Sequence, residues 1–403
     1  MTIWVSFFLI IIGAIVGLNL LWWVASWRFA RATPWRYVTA AFMVFQIGGL
    51  AWLISGRLSQ GAWDRLLPKW MVAALLIWHM IVLPISIAAL LLVGGAALLT
   101  YLERIIMHRR RRSHEPAISN PESHWTRREF LAATAAIAPP LATLGLTGIA
   151  LQQLTDFRIR RFVVPVHELP PDLHGLTIAQ VSDIHVGRFT SGRVLRDVVN
   201  ATNNLNADLV LLTGDLINDA LADLDTGIGL VRQMHGKYGA YLIEGNHDLI
   251  ENPEEFERRM KSSGIPFLLD EAAVITIRGV PIQLLGLSWT RTRQNRDHEI
   301  TAAVQRLLTQ SQPDVFRMLL AHHPHAFDAA ADAKIPLTLS GHTHGGQLML
   351  NRRYGFGPAM FRYWSGLYRR AESTLIVSNG VGNWFPLRVN APAEIVHVTL
   401  VPV

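Results

Sequence analysis

Leu-Thr-Leu-Ser-Gly-His-Thr-His-Gly-Gly-Gln, residues 337–347, is a short apolar strand running into two imidazoles one residue apart. In an extended segment, side chains at that spacing point to opposite faces. On a tight loop, His342 and His344 can instead reach two different metals. Gly341, Gly345 and Gly346 supply the backbone freedom such a loop needs. The competing reading is two ordinary loop histidines. Four other strand-like runs weigh against it, because each also ends in a metal-ligand type. Residues 178–181 precede Asp183 and His185, and 209–212 precede Gly214 and Asp215. Residues 241–243 precede Gly245-Asn246-His247-Asp248, and 315–320 precede His322. Functional groups gather at the carboxyl ends of strands in α/β sheets, and this chain places carboxylate, imidazole and amide there repeatedly.

The chain has 403 residues and no cysteine, which rules out disulfides, thiolate metal sites and a cysteine nucleophile. Its formal charge of +7 is unevenly spread. Up to Asp156 there are 13 basic and 6 acidic side chains; from Phe157 onward the count is 24 and 24. The basic character therefore belongs to the N-terminal part.

Residues 3–27 carry no charge and are long enough to span a bilayer. The alternative of a cleavable signal peptide lacks a basic n-region and a small-residue cleavage site. Further apolar runs cover 37–56 and 70–102. The last would measure about 50 Å as one straight helix, at roughly 1.5 Å per residue. Pro84 can kink it, but splitting it there would leave pieces too short to span, so it is read as one helix. Arg28, Arg31 and Arg36 follow the first span, and Arg104 with the arginines at 109–112 follow the third. Arg57, Arg65 and Lys69, offset by Asp64, lie between the second and third. The richer clusters belong in the cytoplasm, so the N-terminus is expected outside and the 109–112 block inside. Thr126-Arg127-Arg128-Glu129-Phe130-Leu131 then opens an uncharged run, 130–154. It resembles an internal twin-arginine export signal; the other reading is an ordinary membrane helix with two anchoring arginines. Either way a fourth span leads outward, although Pro139-Pro140 would weaken a helix there. The expected organisation is a three-span region over 1–107, a basic cytoplasmic linker over 108–129, a fourth span over 130–154 and a catalytic domain over 157–403.

From Phe157, strand-like runs alternate with helical ones around a central β-hairpin pair at 273–277 and 282–287. This predicts an α/β domain of two packed mixed β-sheets flanked by helices.

Asp183-Ile184-His185, Gly214-Asp215, Gly245-Asn246-His247-Asp248, His322 and Gly341-His342-Thr343-His344 together resemble the five motifs of the calcineurin-like metallophosphoesterases. Leu169-Pro170, Gly175-Leu176, 182–187, 341–347 and 377–382 are similar to its bacterial membrane-associated YkuE-type branch. The resemblance covers about 157–403. It implies an αββα sandwich and two divalent transition metals, drawn from Mn, Fe, Zn or Co. Asp183, His185, Asp215 and His344 would hold one; Asp215, Asn246, His322 and His342 the other, with Asp215 bridging. An oxygen and imidazole set without sulfur suits such metals. The resemblance further implies that His247 donates a proton to the leaving oxygen, oriented by Asp248; the alternative is that His247 only caps a loop. His323 and His325 compete with His322 as ligands, and the resemblance favours His322. Arg352, Arg353, Arg362, Arg369 and Arg370, interleaved with aromatics, read either as an anionic or lipidic substrate site or as a solvated or membrane-facing surface.

The expectation is a membrane-anchored phosphoesterase, multi-pass in a bacterial inner membrane, with its catalytic domain in the periplasm or outside the cell. Metal-activated hydroxide would attack a phosphoester, soluble or lipidic. Membrane lipids and the twin-arginine export machinery are the other expected partners. The alternatives are a cytoplasmic hydrolase of lipid-linked sugar-nucleotide pyrophosphates, a nuclease, and a non-enzymatic sensor or scaffold. The balanced charge of the domain argues against nucleic acid, and the full ligand set argues against a vestigial site.

Overall fold

A computed structural model describes residues 2–30, 34–58, 66–108, 127–289, 296–312, 315–351 and 353–403. Arg31, Asp64, Arg65, the 109–112 arginines, the linker as far as Thr126, and Arg352 lie outside the described residues. The chain divides into two units, Met1–Ile149 and Ala150–Val403.

The first unit is helical. It contains α1 (Thr2–Phe29), α2 (Trp35–Leu58), α3 (Lys69–Ile77), α4 (Leu83–His108) and most of α5 (Arg127–Gln153). Among the described residues, four stretches are long and apolar enough to cross a membrane: Ile10–Phe29, Trp35–Gly56, Lys69–Ile105 and Ala133–Gln153. The third is one continuous helix, as expected, with a wider π-helical turn at Trp78–Val82 between α3 and α4. Pro84 explains the turn. It lacks an N–H and its ring collides with the carbonyl four residues back, and a π-bulge relieves both. Trp78 donates to Asn19 Oδ1 at 2.8 Å, giving a polar group in an apolar span its partner. The helix α5 runs unbroken through Pro139 and Pro140.

Among the described residues, the second unit has eleven strands in two sheets. One sheet has the order β1 (Arg158–Val166), β11 (Glu394–Pro402), β2 (Thr177–Val181), β3 (Leu209–Thr213), β4 (Ala240–Ile243). The other runs β5 (Glu271–Ile277), β6 (Val280–Leu287), β7 (Phe316–Ala321), β8 (Leu337–Ser340), β10 (Ser373–Val377), β9 (Gly366–Arg370). Strands β2–β3–β4 and β6–β7–β8–β10 are parallel, and antiparallel partners make both sheets mixed. The central hairpin is tighter than expected. Only Arg278 and Gly279 connect β5 to β6, at φ 50° and 82°, the positive pair that matches strand twist.

Alternation along the strands builds the layers. Ile178, Leu209, Leu211, Leu284, Met318 and Leu320 face a core between the sheets. Their neighbours Ala179, Val210 and Leu212 pack outward, in one cluster with residues of α6 (Arg193–Asn204), α7 (Leu224–Val231) and α8 (Pro253–Ser262). On the far side, Leu285, Leu319 and Ala321 pack in one cluster with residues of α9 (Arg296–Thr309) and α10 (Ala326–Asp332). The unit is therefore an αββα sandwich. Each fully buried Leu or Ile contributes about 1.5–3 kcal/mol, so the period-two pattern largely sets the architecture. Gln180 is buried with them, and its amide bonds Ser340 O at 2.9 Å, bracing the two sheets where their strands end. The first and last strands close the domain. Glu394, fully buried, accepts from Arg158 at 2.8 Å and from Arg160 at 3.2 Å.

Candidate metal centre

The carboxyl ends of β2, β3, β4, β7 and β8 meet at one edge of the sandwich and carry the residues singled out from the sequence. Asp183, His185 and His344 bring ligand atoms within 4.8 Å of one another, as do Asp215, His322 and His342. A third group joins His185, Asp215 and His247. Asp215 thus belongs to two groups, between the flanking imidazoles. Its Oδ2 lies 3.5 Å from His185 Nε2 and 3.1 Å from His322 Nε2. His344 Nε2 is 3.0 Å from His185 Nε2 and 3.4 Å from Asp183 Oδ1. His323 stands aside, its Nδ1 accepting from His325 N.

Turning these side chains inward distorts the backbone. Asp183, His185, Asp215, His342 and His344 all take positive φ, between 47° and 72°. Such conformations cost of order 1–3 kcal/mol each and cluster at functional sites. Two glycines are required by close approach. A Cβ at Gly245 would lie 2.2 Å from Asp215 Oδ1, and one at Gly341 would lie 1.9 Å from Ser182 Oγ.

Hydrogen bonds fix the orientation of several rings. A carbonyl only accepts, so the 2.6 Å contact of His322 Nδ1 with Thr213 O makes Nδ1 the donor and turns Nε2 toward the Asp215 carboxylate. Asn246 Oδ1 is buried without a hydrogen-bond partner, while His322 Nε2 meets Asp215 Oδ2 at 3.1 Å. Nearby, Ser182 and the His342 backbone hold the Asp183 carboxylate.

The electrostatics call for a cation. Burial raises Asp183 to about 6, with His322 opposing and Asp215 adding to the shift. Burial works against charge on His322, but Asp215, Asp183 and the Thr213 carbonyl raise it to about 9. Protons thus neutralise two close carboxylates where divalent metals would do so more effectively. His185 and His344 are held well below their ordinary values, first by burial and then by neighbouring positive groups. They remain neutral ligands. Buried carboxylates, closely grouped imidazoles and an unsatisfied amide oxygen fit two divalent metal ions, which would displace the protons now held there.

His247 is half-buried at the edge of this cluster, its ring edge-on to His185 at 4.6 Å between centroids. Its Nδ1 donates to Asn218 O at 2.6 Å. The Asp248 carboxylate does not reach that ring; it accepts from Ile217 N at 2.9 Å and Gly245 N at 2.8 Å, tying two loops together. The orienting contact on His247 is therefore the Asn218 carbonyl.

Residues 176–346 match the family model described as calcineurin-like phosphoesterase. Within this unit, residues 176–346 form a calcineurin-like phosphoesterase domain. The chain is 32% identical over 245 residues to a transmembrane protein with metallophosphoesterase domain from Danio rerio, covering 59% of this chain and 56% of that one. It is 31% identical over 283 residues to the Bos taurus protein of the same name, covering 66% and 63%. To the uncharacterized metallophosphoesterase YkuE of Bacillus subtilis it is 29% identical over 242 residues, covering 58% and 81%. The chain thus spans little more than half to under two thirds of the two vertebrate relatives.

Residues of this unit that sequence patterns did not single out complete the surroundings. Arg388 is buried, and its guanidinium bonds His344 Nδ1 at 2.8 Å and Gly382 O at 2.6 Å. Trp289 flanks His342 at 5.0 Å, and Trp384 flanks His247 at 6.0 Å. Arg362 and Arg370, two of the basic set, pair with Asp328 and Asp332.

Proposed function

We propose that the protein is a membrane-anchored phosphoesterase of the YkuE-type branch, hydrolysing a phosphoester, soluble or lipidic. Asp183, His185, Asp215 and His344 would hold one metal; Asp215, Asn246, His322 and His342 the other. The observation that carries this is Asp215, shared between imidazole groups on either side beside the unsatisfied Asn246 Oδ1. Two bound divalent metals would supply charge neutralisation for phosphoryl oxygens and a lowered pKa for a shared water.

The remaining chemistry belongs to the chain. The Asn218 carbonyl accepts from Nδ1 of His247 and leaves Nε2 to carry a proton to the leaving oxygen. Asp215 Oδ1 accepts from His247 N at 2.7 Å, so the proton donor is tied to the bridging carboxylate. Asp248 keeps the two loops in register. Trp289 and Trp384 limit water on opposite flanks.

The arginine distribution supports a bacterial inner-membrane location with the domain in the periplasm or outside the cell, and Arg127-Arg128 supports use of the twin-arginine export route. The test is a panel of phosphomonoesters, phosphodiesters and pyrophosphates, offered to the purified full chain after reconstitution with Mn, Fe, Zn or Co. Turnover of at least one class that depends on two bound metals is expected. A chain that binds two metals and turns over none of the classes refutes the reading.

A further inference from the structure

The face carrying Leu350, Tyr354, Phe356, Met360 and Val389 is apolar and open to solvent. Leu350 is 81% exposed, Tyr354 and Met360 are each 66%, and Phe356 is 53%. These side chains sit on one small structure. Leu350 N donates to Tyr354 O at 2.9 Å, closing a turn, and Phe356 N returns to Leu348 O at 3.2 Å. Leu348 bridges Val389, and Asn390 donates its amide to Met349 O and Leu350 O, fixing the 389–390 segment beside the turn. Phe356 opens the short helix α11 (Phe356–Met360), which carries Met360. Arg353, on the same turn, is exposed and makes no ion pair among the described residues.

A cluster of large apolar side chains with an aromatic hydroxyl and a cation at its margin has the composition of an interfacial membrane contact. Its position names the occupant. The fourth apolar span ends at Gln153, whose side-chain oxygen accepts from Arg388 N, next to Val389, at 3.0 Å. The chain entering β1 is held to the same segment, because Arg158 N donates to Ala393 O at 3.0 Å. The exposed face therefore lies beside Gln153, the residue at which the fourth apolar stretch ends.

We propose that Leu350, Tyr354, Phe356, Met360 and Val389 form a docking surface that seats the phosphoesterase domain on the bilayer, with Arg353 against anionic headgroups. The lipid surface is the occupant; a protein partner or a second copy of the chain is the competing outcome. The inference does not depend on catalysis, and its test reads no activity.

The cysteine-free chain allows single labels. An environment-sensitive fluorophore is placed at Leu350→Cys, Tyr354→Cys or Ser262→Cys in the full chain. The labelled chains are reconstituted in phosphatidylethanolamine–phosphatidylglycerol vesicles. Ser262 ends α8, which follows β4, the edge strand opposite β1. Doxyl-labelled lipid is expected to quench positions 350 and 354 several-fold more than position 262, with iodide showing the reverse order. Adding Leu350→Asp should return the label at 354 to iodide. Iodide access at 350 and 354 equal to that at 262 overturns the proposal. So does shielding from both quenchers, which would mean that protein rather than lipid covers the face.

Discussion

Arg388 Nη2 lies 2.8 Å from Nδ1 of His344, inside a buried pocket of backbone carbonyls. A guanidinium only donates, so His344 accepts at Nδ1, and its neutral ring carries the proton on Nε2, the atom that faces His185 and Asp183. Residue 388 thereby sets the ring of a candidate ligand 44 positions earlier.

Arg388→Met should shift metal affinity at the His344 group by about 10–100-fold, the usual scale for a partner behind a ligand, and toward tighter binding, because the lost donor had kept the proton on Nε2. The Asp215–His322–His342 group should change less, so a two-metal titration should become biphasic. Arg388→Lys keeps the charge but lacks the planar fork, and should fall between wild type and Arg388→Met. Two unchanged affinities in Arg388→Met would show that the contact is only structural.

Asp215→Ala should lose both metals, because the carboxylate faces His185 on one side and His322 on the other. Elemental analysis of the folded variant, with folding checked by circular dichroism, measures this. Retention of a full pair would refute the bridging assignment.

His247→Ala should keep its metals and lose about 10²-fold or more in turnover, the scale of a general acid. The loss should be largest for poor leaving groups. Equal rates on poor and good leaving groups, both at the wild-type level, would remove His247 from proton transfer.

Much of this centre was legible because each motif is local: a buried strand, then a ligand within a few residues. The alternation of Ile178, Leu209 and Leu211 with Ala179, Val210 and Leu212 likewise carries the layered fold in short windows. What escaped is long-range. Glu394 meets Arg158 across 236 positions, and no local pattern joins them. Arg388 is a lone basic residue in an apolar tail, with no spacing to mark it. The short strand β9 pairs only with β10, at the sheet edge, and amid arginines and aromatics it resembles a surface loop. Asp248 follows His247 directly, yet side-chain direction rather than adjacency decides whom it meets, and its carboxylate reaches Ile217 and Gly245.

Metal binding should release protons and tighten as pH rises. Without metal, His322 holds its proton up to about 9 and Asp183 up to about 6. A metal must displace both protons. Apparent affinity should therefore climb between roughly pH 5 and 9, flattening once His322 is deprotonated. The sign for the metal-free fold differs by group. The raised His322 contributes stability that is complete below the unfolded histidine value and is lost as pH rises through about 9. The lowered His185 and His344 make acid unfavourable, because the unfolded chain takes up protons there first. Calorimetry in two buffers of different ionisation enthalpy measures the protons released. Zero release at pH 7 would contradict this charge arrangement.

The side of the membrane on which the domain stands is the last expectation, and it separates an external phosphoesterase from a cytoplasmic enzyme of lipid-linked pyrophosphates. Three spans precede the basic linker, and positive residues favour the cytoplasm, so the linker is placed inside. The span Ala133–Gln153 would then carry Asp183, His247 and His344 outward. A reporter fused after Val403 that is active only outside the cytoplasm should be on in the wild type. Arg127→Lys with Arg128→Lys retains both charges and removes the paired guanidinium groups. If those groups are read by the twin-arginine machinery, the double variant leaves the domain inside while the first three spans still insert. Export of both chains would keep the topology and discard that route. A cytoplasmic reporter in the wild type would reverse the topology and favour the lipid-linked pyrophosphate reading.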